Sequence, residues 1–211
     1  MINEIVKKKT DLRNKLTKKR NSIKRNTALE FNIDAFYKLT EKIKFNAVDC
    51  VGSFMPIRSE ISTNQLNAKI LDMKKKLAFP LIEKNSETLI FKKTNSLKNF
   101  KLGKFNIPEP KNDNKEIIPQ LFFVPCLGFD LKGYRIGYGG GFYDKTFEKL
   151  KKLNLLFYTV GFAYDDQKQN ELPIEKFDYK LDFVLTEKQL YTFLLELFLL
   201  VILFVRKQER L

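Results

Sequence analysis

The sequence has no histidine, no tryptophan and only two cysteines, Cys50 and Cys126. Without histidine there is no Ser-His-Asp triad, no Cys-His dyad and no His-ligated zinc or iron site. The side chain that ordinarily moves protons near neutral pH is missing as well. Two cysteines cannot build a four-thiolate metal centre, and they read as reduced core residues of a cytoplasmic protein. Met1–Val6 runs straight into Lys7-Lys8-Lys9 with no apolar stretch behind it, so no signal peptide is expected. Acidic residues are in deficit: 39 Lys and Arg face 25 Asp and Glu, a formal net charge of +14. Such a field favours nucleic acid, an anionic membrane or a small phosphorylated ligand. The first 25 residues carry no aromatic side chain, so base stacking has no support there. A basic nucleic-acid-binding protein without catalysis is therefore the alternative reading, not the leading one.

What is present suits a soluble α/β protein of 211 residues, 44% apolar and 30% charged. Residues 4–25 predict a basic helix with sparse apolar positions, and Thr27–Lys44 a second helix with Leu29, Phe31, Phe36, Leu39 and Ile43 inward. Ala47–Phe54 reads as a buried strand. Thr63–Lys76 reads as a helix capped by Thr63, with Leu66, Ile70, Leu71 and Met73 facing the core. Strands are expected at Leu77–Ile82, Thr88–Lys92, Leu121–Pro125, Leu155–Phe162 and Leu181–Leu185, with a helix at Phe142–Lys152. Residues 94–119 read as a long irregular connection. The alternation of strands and helices predicts a single three-layer αβα domain, residues 1–188, around a mostly parallel sheet. Residues 189–211 are expected to form an apolar helical tail. Its run Leu190–Val205 would be about 24 Å long as a helix, short for a bilayer span and interrupted by Glu196. Association with protein or membrane through this tail is the expectation.

The segment Gly133-Tyr134-Arg135-Ile136-Gly137-Tyr138-Gly139-Gly140-Gly141-Phe142-Tyr143-Asp144 concentrates five of the nine glycines between a predicted strand and a predicted helix. Glycines let backbone amides approach a ligand, and a helix N-terminus offers unpaired donors to an anion. Arg135 adds a cation suited to phosphate. The segment is neither a Walker A loop nor a strict dinucleotide fingerprint. On the residues alone it is a phosphate-binding loop of a non-standard kind.

Val124-Pro125-Cys126-Leu127-Gly128-Phe129-Asp130, followed by Gly133-x-Arg135-x-Gly137-x-Gly139-Gly140-Gly141-x-Tyr143-Asp144, resembles the signature of the 5-formyltetrahydrofolate cyclo-ligase family. Lys9-Thr10-Asp11-Leu12-Arg13, Ser53-Phe54-Met55 with Glu60-Ile61-x-Thr63, and Gly161–Gln167 with Leu172-Pro173 and Asp178 are similar to further blocks of that family, in order. The resemblance implies ATP-dependent closure of the N5-formyl group of 5-formyltetrahydrofolate onto N10, with magnesium as the metal. It implies nucleotide contacts by Lys9, Thr10, Asp11, Leu12 and Arg13, and by Lys132, Gly133, Tyr134, Arg135, Ile136, Gly137, Tyr138, Gly139 and Gly140. Folate contacts are implied for Met55 and Glu60, and for Arg135, Ile136, Gly137, Tyr138 and Gly139. Arg135 is the expected catalytic residue, with its side chain exposed in a cleft. Asp178 and, secondarily, Asp144 are the expected metal ligands. Phe177 stands where the family often has His.

Overall fold

The alternation Leu121-Phe122-Phe123-Val124 places successive side chains on opposite faces of a strand. In the computed structural model, which describes residues 2–26, 31–94, 100–103, 107–110 and 115–194, both faces are covered. The elements run α1 (Ile2–Asn26), α2 (Ile33–Lys42), β1 (Cys50–Gly52), α3 (Asn64–Asp72), β2 (Lys76–Leu81), β3 (Ile90–Thr94), β4 (Phe100–Leu102), β5 (Pro108–Pro110), β6 (Leu121–Pro125), β7 (Gly128–Asp130), β8 (Arg135–Ile136), α4 (Phe142–Lys152), β9 (Tyr158–Phe162), β10 (Lys168–Gln169), β11 (Phe183–Leu185) and β12 (Leu190–Thr192).

The main sheet has the order β12-β11-β9-β6-β1-β2-β3. Its five inner strands pair in parallel. The edges β3 and β12 are antiparallel to their neighbours. Leu121 and Phe123 pack with Phe36 and Leu39 of α2 and Leu66 and Ile70 of α3. Phe122 and Val124 pack on the other face with Phe147 and Leu150 of α4. Burying each such side chain stabilises the fold by about 1.5–3 kcal/mol before entropy is counted. The mostly parallel sheet expected from the sequence is thus present, with helices against both faces.

α1 reaches the α2–α3 layer only near its end, through Ile23. Its Leu16 packs with Leu127, Ile136 and Leu172, beside the small sheet β10-β7-β8. The approach is close at Gly128, where an added Cβ would come within 2.8 Å of Leu16 Cδ1.

Several local expectations are corrected. Within residues 94–119, β4 and β5 form a two-stranded antiparallel sheet. Leu71 is exposed at 36%, and Asn67 takes a buried place on α3 instead, accepting from Ser53 Oγ at 2.6 Å. Thr63 precedes α3 without a side-chain capping bond; its hydroxyl donates to the Phe54 carbonyl at 3.0 Å. The expected helix from Leu190 starts as a strand, because Leu190–Thr192 pair with Phe183–Leu185. The rest of that run, from residue 195, lies outside the described residues, as do residues 27–30 of the expected second helix.

Candidate active site

The glycine loop is shaped from below by Asp130, which is fully buried. Its Oδ1 accepts from the amides of Lys132 and Tyr134, both at 3.0 Å, and its Oδ2 from Leu172 at 3.2 Å. These bonds close the β7–β8 turn, with Gly133 at φ +90°. Beyond β8 the chain needs two more left-handed positions, Gly139 at +101° and Gly141 at +66°, before it enters α4. Side chains with Cβ are strained there. Among the described residues no hydrogen bond uses the amides of Gly139, Gly140 or Gly141. Donors of this kind at a helix N-terminus form an anion cradle.

α1 turns three of its cations into the molecule. Lys9, Arg13, Leu16 and Arg20 are spaced four, three and four apart, which is one helix face. The Lys9 side chain is 7% exposed, and its Nζ lies 2.6 Å from both Glu175 Oε2 and Asp178 Oδ2. Arg13 Nε donates to the Gly137 carbonyl at 3.0 Å, and its guanidinium lies against Gly139. Arg20 is buried. It donates to the Cys126 carbonyl at 3.1 Å, to Ser59 Oγ at 3.2 Å and to the Tyr138 hydroxyl.

Arg135 is joined to the start of α4. Its Nη2 lies 2.9 Å from Asp144 Oδ1, and its Nη1 donates to the Tyr179 carbonyl at 3.1 Å. The Tyr179 amide donates to the same Asp144 oxygen at 3.0 Å. The Arg135 side chain is only 5% exposed, so the expectation of an open, solvent-accessible arginine is corrected. Asp144, Tyr179 and the Phe147 ring, 5.9 Å from the guanidinium carbon, cover it. Glu60 is buried on the other side. Its Oε2 accepts from the Ile57 amide at 2.9 Å, and its Oε1 lies 4.0 Å from Arg20 Nη1. Burial pushes the Cys126 thiol up to about 12, opposed by the charges of Arg135 and Arg20.

Not every expected contact residue faces this cluster. Ile136 and Leu12 pack with Leu16. Thr10 Oγ1 donates to the Val6 carbonyl of its own helix, and Asp11 is exposed. Lys132 is exposed and pairs with Glu171. Met55 packs on the α2–α3 side of the core. Phe177 is 68% exposed, with Lys176 over its ring.

Arg20 and Glu175 are not picked out by the sequence pattern, and Tyr143 stands in the signature with no role given to its hydroxyl. The four-three-four spacing with Lys9, Arg13 and Leu16 is the signal that marks Arg20 as inward-facing. Glu175 carries no such signal. The Tyr143 hydroxyl is buried with no hydrogen-bond partner among the described residues. Burial raises its pKa, opposed by Arg135.

No group of three or more carboxylate or thiol ligands forms a metal cage among the described residues. Magnesium does not require one, since it commonly takes one or two carboxylates plus substrate phosphates. Asp178 and Asp144 fit that requirement. Asp178 bonds to Lys9 and the Glu175 amide through Oδ2, and Asp144 to Arg135 and the Tyr179 amide through Oδ1. Their side chains remain 22% and 24% exposed.

The chain is similar to known proteins over most of its length. A 5-formyltetrahydrofolate cyclo-ligase of Escherichia coli K12 is 28% identical over 146 residues, covering 67% of this chain and 79% of that protein. The Haemophilus influenzae 5-formyltetrahydrofolate cyclo-ligase is 32% identical over 136 residues, 62% of this chain and 72% of that protein. The solution structure of 5,10-methenyltetrahydrofolate synthetase from Aquifex aeolicus superposes with a TM-score of 0.71 at 26% identity, over 88% of this chain and 92% of that one. The family model for 5-formyltetrahydrofolate cyclo-ligases matches residues 5–187. Because that match spans most of the 211 residues, this chain belongs to the 5-formyltetrahydrofolate cyclo-ligase family.

Proposed function

We propose that this protein catalyses the ATP-dependent cyclisation of 5-formyltetrahydrofolate to 5,10-methenyltetrahydrofolate, releasing ADP and phosphate. The formyl oxygen attacks the γ-phosphorus and the bond to ADP breaks. N10 then attacks the formyl carbon and loses its proton. The carbon–oxygen bond breaks, and phosphate departs with the former formyl oxygen. Such a reaction asks for positioning and charge neutralisation, which a chain without histidine can supply. The observation that carries the reading is Arg13 seated on the glycine loop, its Nε on the Gly137 carbonyl at 3.0 Å. It brings a helix-borne cation to amide donors that have no acceptor among the described residues.

In this reading Lys9, Arg13 and the amides of Gly139 and Gly140 hold the phosphates. Arg135 stabilises the charge that develops on the transferring group. Glu60 accepts the adjacent N–H donors of the pterin. Magnesium, held by Asp178 and Asp144, would supply charge neutralisation at the phosphate oxygens. The turning of Lys9, Arg13 and Arg20 inward leaves α1 less a free basic face than its composition suggests, and nothing favours the nucleic-acid alternative. Among the described residues no helix is long and apolar enough to cross a membrane. A cytoplasmic location belongs to this proposal, as does association through the apolar tail, residues 189–211. The test is the absorbance of 5,10-methenyltetrahydrofolate formed from 5-formyltetrahydrofolate with Mg-ATP. Formation that stops when ATP is omitted supports the reading, and none under saturating substrates overturns it.

A further inference from the structure

Arg20 has an unusual position for a residue of a lysine-rich helix. It is 1% exposed, deeper than Lys9, and its guanidinium joins three separate chain segments. Nε donates to Ser59 on the 56–60 turn, Nη1 to the carbonyl of Cys126 after β6, and Nη2 to the Tyr138 hydroxyl of the glycine loop. The neighbouring carboxylate is Glu60, itself 4% exposed, with Oε1 at 4.0 Å from Nη1. Tyr138 is more than an acceptor. Two guanidinium groups lie near its ring, Arg20 at 5.5 Å and Arg58 at 5.1 Å from the ring centre. Arg58 itself takes a left-handed backbone, φ +56°, in the turn that leads to Glu60. The Cys126 carbonyl is shared with the buried Gln167, whose Nε2 donates at 2.7 Å, so the floor under Arg20 is fixed by a second donor.

A buried cation needs both a counter-charge and directional acceptors. Arg20 finds them on three chain segments that meet at the site. We propose that Arg20 is a positioning residue for folate binding: it fixes the Glu60 carboxylate and, through Tyr138, holds the 56–60 turn against the glycine loop. The inference rests on the proposed reaction, in which Glu60 receives the pterin. It adds that the orientation of Glu60 is imposed from α1 and from the nucleotide loop. A planar guanidinium can serve three acceptors in fixed directions, which an ammonium cannot.

The test compares Arg20→Lys and Tyr138→Phe with the unaltered protein in the methenyltetrahydrofolate assay, titrating 5-formyltetrahydrofolate and ATP separately. Arg20→Lys should raise KM for 5-formyltetrahydrofolate by about tenfold, with kcat and KM for ATP changed less than about threefold. Tyr138→Phe keeps the ring and removes only the hydroxyl, at a position 38% exposed, so it tests the latch without threatening the fold. It should raise the same KM by about threefold. A merely structural role would reduce the amount of active protein, lowering apparent kcat and leaving KM in place. An unchanged folate KM in both variants overturns the inference, as does an equal rise in both substrates' KM values. If the unaltered protein makes no methenyl product, the reaction itself is wrong and this inference falls with it, a result separable from the variant outcomes.

Discussion

Arg135 and Asp144 close the glycine loop onto the helix after it: Nη2 and Oδ1 stand 2.9 Å apart, nine residues from one another along the chain. The pair is more than a bridge between neighbours, because the Tyr179 carbonyl and amide complete it from the far end of the sequence. Replacing Arg135 therefore has two consequences. Arg135→Ala should cost about 3 kcal/mol of folding free energy, since it strands Asp144 and the Tyr179 carbonyl in a largely covered place. It should also lower turnover per folded molecule by about a hundredfold, the usual effect of deleting one transition-state donor. Denaturant melts together with turnover normalised to the folded fraction separate the two. Full turnover per folded molecule would remove Arg135 from the chemistry.

The Tyr143 hydroxyl invites the opposite experiment. A buried hydroxyl with no protein partner among the described residues costs free energy. Tyr143→Phe should leave the folded protein more stable by about 1 kcal/mol, read as a shift in denaturant midpoint at constant slope. A loss of stability would mean that the hydroxyl has a partner in the folded protein.

The cysteines should be inert while the protein is folded. Burial pushes both thiols up to about 12. A raised thiol pKa means fewer thiolates at any pH below it, and thiolate is the reactive form. At pH 8 alkylation by iodoacetamide should be slower than for an unfolded thiol by about a thousandfold, on the ratio of thiolate fractions. Both should react at the ordinary rate in denaturant. Mass spectrometry after timed quenching gives the rates, and fast labelling of Cys126 in the native protein would contradict its enclosure.

Two truncations separate the contribution of the last strand from that of the residues after it. Ending the chain after Lys188 removes β12, with Tyr191 bonded to Asp165 Oδ1 at 2.7 Å and Phe193 N bonded to the Asp182 carbonyl at 2.9 Å. That protein should unfold at markedly lower denaturant. Ending it after Leu194 keeps these contacts and should retain both the melt and the activity. Equal stability of the two would show that β12 contributes little.

Much of this architecture is legible from residue pattern. Phe142–Lys152 is a helix at the expected bounds, because its apolar positions recur at helical spacing and the glycines before it set its start. Leu121–Pro125 is a strand as expected, an apolar run buried on both faces. The β4–β5 pair escapes notice because Pro108 and Pro110 belong to one of its strands, and proline ordinarily argues against pairing. What secures it is tertiary: Phe100 meets Phe79 edge-on at 5.1 Å. Leu190–Thr192 begins an apolar run with no alternation, which reads as a helix until the free edge of β11 claims it. In the site, residue types point to Arg135 and the glycines, and only the family resemblance adds Lys9, Arg13 and Glu60; composition also makes a glycine-rich loop look open. The depth of Arg135 depends on Asp144, Phe147 and Tyr179, whose convergence no spacing reveals.

The two bonds from Lys9 also bear on when the site comes into being. Its partners, Glu175 and Asp178, are 166 and 169 residues downstream. As the ribosome releases the chain, Lys9 waits for these partners until five of the seven strands of the main sheet have been synthesised, whereas the partners of Arg13 and Arg20 are complete by Tyr138. Contacts this distant in sequence form late and slowly. The start of the first helix is thus among the last pieces of the site to lock, together with the Arg135 pair that needs Tyr179, and a nascent chain halted before residue 178 has no finished place for a phosphate.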